Sequence, residues 1–317
     1  APEEHTRQWQ KEMFEMIDRL RFYPCITTWV VFNEGWGQHN TVEIVNKVIK
    51  YDDTRLINGV TGWTDRGVGD MYDVHNYPVT SMILPENNGN RISVLGEFGG
   101  GGGGGGGHIW NPNMRNWGYK NIDGAMALID SYGRLLYDLE TLIAQGLSAA
   151  VYTQTTDVEG EVNGLITYDR KVTKIPEGLL HLMHNRLYEI TPVNAVTLIA
   201  DSQNGSKNTR LVGVNGQELK MTSLPFECSP RSTIVSEVTF NVDKGFNHLS
   251  LWLNVAGEAK VWLNGVEVFA QEAKQTRQYN QYNISDYSRY LRKGSNLLKI
   301  EVKDSKKMRF DYGLRAY

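Results

Sequence analysis

A chain of 317 residues, 40% hydrophobic and 22% charged, is long enough for two domains and apolar enough to bury a real core, which excludes a largely disordered protein. Its net charge of −3, from 33 basic and 36 acidic residues spread along the chain, leaves no electrostatic footprint for nucleic acid or an anionic membrane, so a neutral partner is expected. The 8 Trp and 16 Tyr point the same way, because sugars offer apolar C–H faces to aromatic rings, although core packing uses such residues too.

Cys25 and Cys228 lie far apart and supply neither a disulfide framework nor a metal-binding cysteine cluster. No run of 18 apolar residues occurs, and Ala1 to His5 lacks the basic-then-apolar pattern of a secretory leader, so a soluble chain is expected.

Trp9, Met13, Ile17 and Leu20 fall at helical spacing, Tyr23-Pro24 ends that helix, and Cys25 to Asn33 reads as a strand apolar on both faces, the mark of a covered parallel sheet. The alternation continues with a helix near Val42 to Ile49 and strands at Leu56 to Val60, Asp73 to Tyr77 and Ile92 to Phe98. A long helix follows at Asp123 to Ala144, then a strand at Leu147 to Thr153 and a helix around Pro176 to Leu187. Five strands with helical crossovers make a (β/α) architecture.

After Pro192 the pattern changes to strands without helices, at Val196 to Ala200, Thr233 to Val242, His248 to Val255, Ala259 to Phe269, Asn296 to Val302 and Phe310 to Tyr317. Leu249, Leu251 and Leu253 alternate with Ser250, Trp252 and Asn254, as in a strand with one face in the core, and a jelly-roll β-sandwich is the natural closure. The expected domains are residues 1–190 and 191–317. Gly99 to Gly107 is a run of nine glycines beside a core strand, where its ordering would be costly, so these glycines are read as standing in for other residues, with a genuine or engineered tract as the alternative.

Two apolar strands end in a glutamate followed by glycine or by an aromatic residue and glycine, in Val30-Val31-Phe32-Asn33-Glu34-Gly35-Trp36-Gly37 and Val94-Leu95-Gly96-Glu97-Phe98-Gly99. In (β/α) barrels, polar residues at the C-terminal strand ends face the active-site mouth, whereas an unpartnered Glu closing an apolar strand is a costly burial. Two such glutamates can flank a glycosidic bond, one protonating the leaving oxygen and the other attacking the anomeric carbon; loop-tying or capping is the plainer use of each alone.

These two strings, with Asp73-Val74-His75-Asn76-Tyr77-Pro78 between them and Asp157-Val158-Glu159-Gly160-Glu161-Val162-Asn163-Gly164-Leu165 and Tyr168-Asp169-Arg170 after them, occur in the order and approximate spacing of glycoside hydrolase family 2. The chain resembles that family, which holds β-galactosidases, β-glucuronidases and β-mannosidases, over residues 5 to 190. The resemblance implies the C-terminal part of a (β/α)8 TIM barrel, strands 4 to 8, followed by the sandwich, that is, an α/β domain plus an all-β one. It also implies a retaining β-glycosidase, most like a β-galactosidase, with Glu34 as acid/base and Glu97 as nucleophile.

By the same resemblance Asn33 bonds the sugar 2-hydroxyl, Tyr77 bonds the nucleophile and His75 lines the pocket, a satisfied core pair being the other reading of His75 and Tyr77. Trp36, Trp63, His108 and Trp110 sit in loops after strand ends and are candidates for sugar contacts, with packing as the alternative. Tyr152 stands where many relatives have a pocket Trp, so an aromatic platform is expected there. The acidic stretch Asp157, Glu159, Glu161 is read either as a solvated loop or as sugar-recognising.

No cofactor is required and no metal ligands are assigned, since no ligand spacing is diagnostic. Lys260 to Phe269 and Asn283 to Tyr287 look like the galactose-binding-type jelly roll found as an accessory domain of such enzymes, in a structural or a sugar-binding role.

The expected partner is a glycoside, oligosaccharide or polysaccharide, and the residues speak for neither a nucleic acid nor a membrane. They fix no compartment or oligomeric state; a periplasmic or extracellular place is the expectation for an enzyme that degrades polysaccharide. Because a complete barrel needs eight strands, the chain is expected to be part of a larger enzyme. The rival reading is a non-catalytic carbohydrate-binding or scaffold protein, for which the retained glutamate pair has no chemical use.

Overall fold

The computed structural model describes residues 2–103, 105–203, 207–217, 219–274, 279–303 and 308–317, so Gly104 of the glycine run lies outside the described residues. The fold is mixed and mostly sheet, with few helices. Its first part runs α1 (Glu3–Leu20), β1 (Thr28–Asn33), α2 (Thr41–Tyr51), β2 (Leu56–Thr61), β3 (Met71–Asn76), β4 (Ile92–Gly99), β5 (Gly101–Gly102), β6 (Lys120–Asn121), α3 (Ala125–Ala144), β7 (Ala149–Thr153) and α4 (Glu177–Tyr188). The first strand thus begins three residues later than the apolar run suggests, its pairing with β2 starting at Thr28 opposite Leu56.

Helix α1 forms because its apolar residues recur every three or four positions, with Glu3 and Glu4 at the positive end of the helix dipole and Arg19 at the negative end. Its buried Met13 and Ile17 join Trp29, Val31 and Phe32 of β1, Ile44, Val45 and Val48 of α2, and Ile57 and Val60 of β2 in one core. Each such fully buried side chain contributes roughly 1.5–3 kcal/mol. Trp9 stacks on Phe32 at 4.8 Å, and the buried Asp52 accepts the Trp29 indole N–H at 2.8 Å, so the polar edge of this core is satisfied.

The five long strands of this part are paired in parallel, β1 with β2 and β3 with β4 and then β7. Between the two groups, Asp70 N–H donates to Ile57 O at 2.8 Å, Ile57 N–H donates to the Asp70 carboxylate at 2.7 Å, and Asn58 Nδ2 donates to Asp73 at 2.6 Å. The register sets Asn33 beside Thr61, His75 beside Glu97 and Gly99 beside Thr153, so the C-terminal strand ends line up on one edge. At the outer strands Val30 is 48% and Val151 55% exposed, which leaves apolar side chains uncovered on β1 and β7.

In the glycine run, Gly101 and Gly102 form β5 and pair with Lys120 and Asn121 of β6. Gly103 has φ 139°, and a Cβ there would lie 2.1 Å from the Ile122 carbonyl oxygen. In this backbone a side chain at 103 would be strained.

The second part runs β8 (Val196–Ile199), β9 (Asn208–Val214), β10 (Lys220–Leu224), β11 (Phe226–Cys228), β12 (Thr233–Val242), β13 (Leu249–Asn254), β14 (Gly257–Leu263), β15 (Val266–Lys274), β16 (Asn280–Asn283), β17 (Gly294–Lys303) and β18 (Met308–Ala316). One antiparallel sheet has the order β10-β9-β12-β17-β14-β15; the other is β11-β18-β13-β16, with β8 also on β18. The arrangement is consistent with a jelly-roll sandwich.

Alternation builds its core: Ala259, Val261 and Leu263 of β14 face inward with Leu298, Ile300 and Val302 of β17. The stretch Ala259 to Phe269, which holds the turn signal Asn264-Gly265, is a hairpin divided at Asn264 (φ 51°) and Gly265 (φ 87°), a turn whose two positive φ values suit Asn-Gly.

Strand β13 departs from the expected one-sided pattern, since Ser250, Trp252 and Asn254 are buried along with the leucines. Cover for the sheet comes partly from the second half of α3. Asp138 accepts Asn283 N–H at 2.8 Å, Tyr137 O accepts Asn283 Nδ2 at 2.9 Å, and Arg134 donates to Asn283 O at 2.7 Å. Accordingly the chain divides into two compact units, Ala1–Gly133 with Gly146–Met183, and Arg134–Gln145 with His184–Tyr317, where the residue pattern puts a single cut at 190. Among the described residues no helix is long and apolar enough to cross a membrane.

Candidate active site

The aligned strand ends of the first unit gather the ionisable groups. Strand β1 stops where the backbone swings into the left-handed region at Glu34 (φ 48°), a conformation that costs a non-glycine residue about 1 kcal/mol and is held here by bonds on both sides. Glu34 N–H donates to Thr61 O at 2.8 Å, and Gln38 Nε2 donates to Glu34 O. Strand β4 carries Glu97 beside His75 of β3 in the parallel register.

His75 sits between the two carboxylates. Its side chain is 2% exposed and its Nδ1 lies 3.1 Å from Glu34 Oε1 and 3.3 Å from Glu97 Oε2. Glycine at 62 makes room for it, since a Cβ there would come within 2.7 Å of the imidazole ring. Glu97 Oε2 also accepts the Tyr77 hydroxyl at 2.6 Å. Burial, and after it the bond to Glu97, raise the Tyr77 pKa far above its ordinary value, so the phenol stays a donor. Ligand atoms of Glu34, His75 and Glu97 all fall within 4.8 Å of one another, and these three are the one group among the described residues able to hold a metal ion. Hydrogen bonds already account for their arrangement.

Beneath this cluster Asp73 is buried and accepts Asn58 Nδ2 at 2.6 Å and Gly96 N–H at 2.8 Å. Burial raises its pKa and these bonds oppose the rise. It ties β2, β3 and β4 together under the strand ends that carry Glu34 and Glu97. Thr61 Oγ1 donates to Asn33 Oδ1 at 2.7 Å, which fixes the exposed Asn33 amide next to Glu34.

The remaining expected residues fall into separate places. Trp36 and Trp63 meet edge to face at 6.1 Å, on the loops after β1 and β2. His108 pairs with Asp169 at 2.8 Å, and that bond holds the Asp169 carboxyl well below the usual carboxylate range. Trp110 lies edge-on to Tyr168 at 5.4 Å and stays exposed.

Tyr152 is not an open platform: its ring is edge-on to the buried Phe98 and Tyr132, and burial pushes its pKa up to about 12. The acidic stretch is not simply solvated, because Asp157 is buried in a 2.7 Å ion pair with Lys174 and also accepts Gly164 N–H.

Sequence reasoning missed Tyr119 and Trp117. Tyr119 stacks flat on Tyr77, with centroids 3.7 Å apart and planes 6° from parallel, and Trp117 stands edge-on to Tyr119 at 5.5 Å. Burial raises the Tyr119 pKa, and the charges of Glu161, Glu97 and Glu34 add to the rise, so this ring belongs to the glutamate cluster. The Asn116-Trp117-Gly118-Tyr119 string, aromatic and glycine-bearing outside any helix or strand, was the available signal.

No family model and no curated protein matches this chain. Among solved structures it is similar to a β-D-glucuronidase of Dictyoglomus thermophilum, at 13% identity and a TM-score of 0.26 over 35% of this chain and 19% of that one. It is also similar to a β-D-mannosidase of the same organism, at 11% identity and 0.27 over 35% and 16%. A glycosyl hydrolase family 2 member of Bacteroides cellulosilyticus gives 14% identity and 0.29 over 39% and 20%. The matches thus span a fifth or less of those three chains, and at such scores they carry no argument about activity.

Proposed function

We propose that the protein is a retaining β-glycosidase working by double displacement, and that its five parallel strands are strands 4 to 8 of a (β/α)8 barrel within a catalytic domain of residues 1–190. One observation carries the reading: carboxylate oxygens of Glu34 and Glu97 approach within 4.8 Å, at the C-terminal ends of parallel strands. Retaining enzymes keep the pair about 5–5.5 Å apart, whereas inverting ones need about 6.5–9.5 Å to admit a water.

In this reading Glu34 protonates the glycosidic oxygen while Glu97 attacks the anomeric carbon, and Glu34 then takes a proton from the water that releases the sugar. The Tyr77 hydroxyl that donates to Glu97, with His75 Nδ1 3.3 Å from the same oxygen, suits the group that must act as a charged nucleophile and hold its attack line. Asn33, fixed by Thr61, is positioned to bond the sugar 2-hydroxyl, a contact that strengthens as the oxocarbenium-like transition state forms. The sandwich of residues 191–317 is read as an accessory galactose-binding-like domain.

A panel of nitrophenyl β-galactoside, β-glucuronide and β-mannoside tests this, with the β-galactoside expected to turn over and Glu97→Gln to abolish it. Hydrolysis of none of the three, or unchanged turnover in Glu97→Gln, contradicts the proposal and favours a binding-only protein.

A further inference from the structure

Trp36 and Trp63 are not explained by packing. Trp36 is 75% and Trp63 47% exposed, yet they touch edge to face, forming a two-ring apolar patch on the loops that follow β1 and β2. Single exposed apolar residues are ordinary, whereas a contiguous aromatic patch beside a reactive carboxylate marks a binding surface. The surrounding backbone is built to keep the pair there. Gly35, between Glu34 and Trp36, packs so closely on the Trp63 ring that a Cβ would come within 2.5 Å of it. Gln38 Nε2 bonds both Glu34 O and Thr64 O, so the loop that carries Trp36 and the loop that carries Trp63 are clamped to the Glu34 turn.

The position of this pair relative to the chemistry decides what it touches. Its scaffold is the Glu34 turn, and a general acid must face the oxygen of the departing group. The aromatic residues on the Glu97 side are different ones, Tyr77 and Tyr119. We infer that Trp36 and Trp63 form the subsite for the leaving group, and that this group is a second pyranose ring, so that the substrate is an oligosaccharide or polysaccharide. This rests on the reading of Glu34 as the proton donor. A pyranose suits the patch because its apolar face can lie on indole while the exposed Arg66 and the partly exposed Gln38, bonded to each other at 3.2 Å, meet its hydroxyls.

The subsite is tested by comparing two substrates of the same sugar, a disaccharide and the glycosyl fluoride, whose leaving group is too small to reach the tryptophans. Trp36→Ala and Trp63→Ala are each expected to lower kcat/KM for the disaccharide on the order of 10-fold while changing that for the fluoride less than about twofold. Transfer of the glycosyl group to an added sugar acceptor should fall in step with the disaccharide, and Trp36→Phe should recover most of both. The fluoride doubles as the control for folding. Equal losses on both substrates, or no loss on either, overturn the subsite. Failure of the unaltered protein to cleave either substrate overturns the glycosidase reading, and the subsite with it.

Discussion

Both units bury polar side chains, and they use them in opposite ways. In the sandwich, Asn296 accepts Arg292 N–H at 2.8 Å through Oδ1 and donates through Nδ2 to Arg292 O at 2.7 Å and Gly294 O at 3.0 Å, so its partners are mainly backbone and its work is to shape a turn. In the parallel unit, His75 faces two carboxylates and Tyr77 donates to one of them, so the partners are themselves ionisable. Buried polar groups that satisfy the backbone hold a fold, while ionisable groups that satisfy one another around an opening hold a chemistry. The outer layers differ too. The sandwich runs in long antiparallel ladders such as β12 on β17 from Thr233 to Val242, whereas the parallel unit leaves Val30 and Val151 uncovered.

Removing Glu97 should separate the two uses most sharply. With Glu97→Ala no glycosyl-enzyme can form, so turnover should collapse for every substrate while the thermal midpoint holds or rises, since one of two close carboxylates is gone. Steady-state rates and a melting curve on the same preparation measure both, and loss of folding together with activity would erase the distinction between the units.

Glu34→Ala should be selective. A loss of about 10² to 10⁴-fold is expected for substrates with poor leaving groups and much less for activated aryl glycosides. Added azide should restore turnover and give the β-glycosyl azide, because attack on the covalent intermediate restores the starting configuration. An α-glycosyl azide, or a β product from the Glu97 variant, would mean that the two roles are exchanged.

Asn296→Ala is the sandwich counterpart. It should cost about 1–3 kcal/mol in stability, read by denaturant unfolding, and leave kcat/KM unchanged in the fraction that stays folded.

The smallest effect is expected at Asp169, a partly buried carboxyl held low by His108. A carboxyl whose folded pKa is depressed lends stability that is present above its ordinary value and is lost as the pH falls through the depressed one. In His108→Gln the Asp169 titration, followed by NMR, should move up toward the ordinary carboxylate range, and the shift in the unaltered protein should shrink with added salt. An unmoved titration would show that His108 is not the cause.

Glu34 and Glu97 were legible in the sequence because each is a chemically costly side chain at the end of an apolar run, whereas His75 and Tyr77 stood out only through the resemblance to glycoside hydrolase family 2. Tyr119 was not legible, because its place on Tyr77 depends on the loop after β4, where Tyr119 N–H reaches Gly100 O at 2.8 Å, and nothing local encodes that meeting. Tyr152 misled for a related reason: a strand end offers two faces, and this ring turned to Tyr132 of α3. In the sandwich, β16 (Asn280–Asn283) escaped notice because it is buried yet polar at three of its four positions, so hydrophobic alternation is silent there.

The most direct test of the account is to trap the intermediate. The protein is incubated with the 2-deoxy-2-fluoro analogue of whichever glycoside it hydrolyses, carrying an activated leaving group, and its peptides are then mapped by mass spectrometry. The fluorine slows both steps and the leaving group speeds the first, so a sugar should accumulate on the peptide containing Glu97, and Glu97→Gln should take none. A sugar on Glu34, or inactivation with no sugar bound to either glutamate, would contradict the assignment of Glu97 as nucleophile.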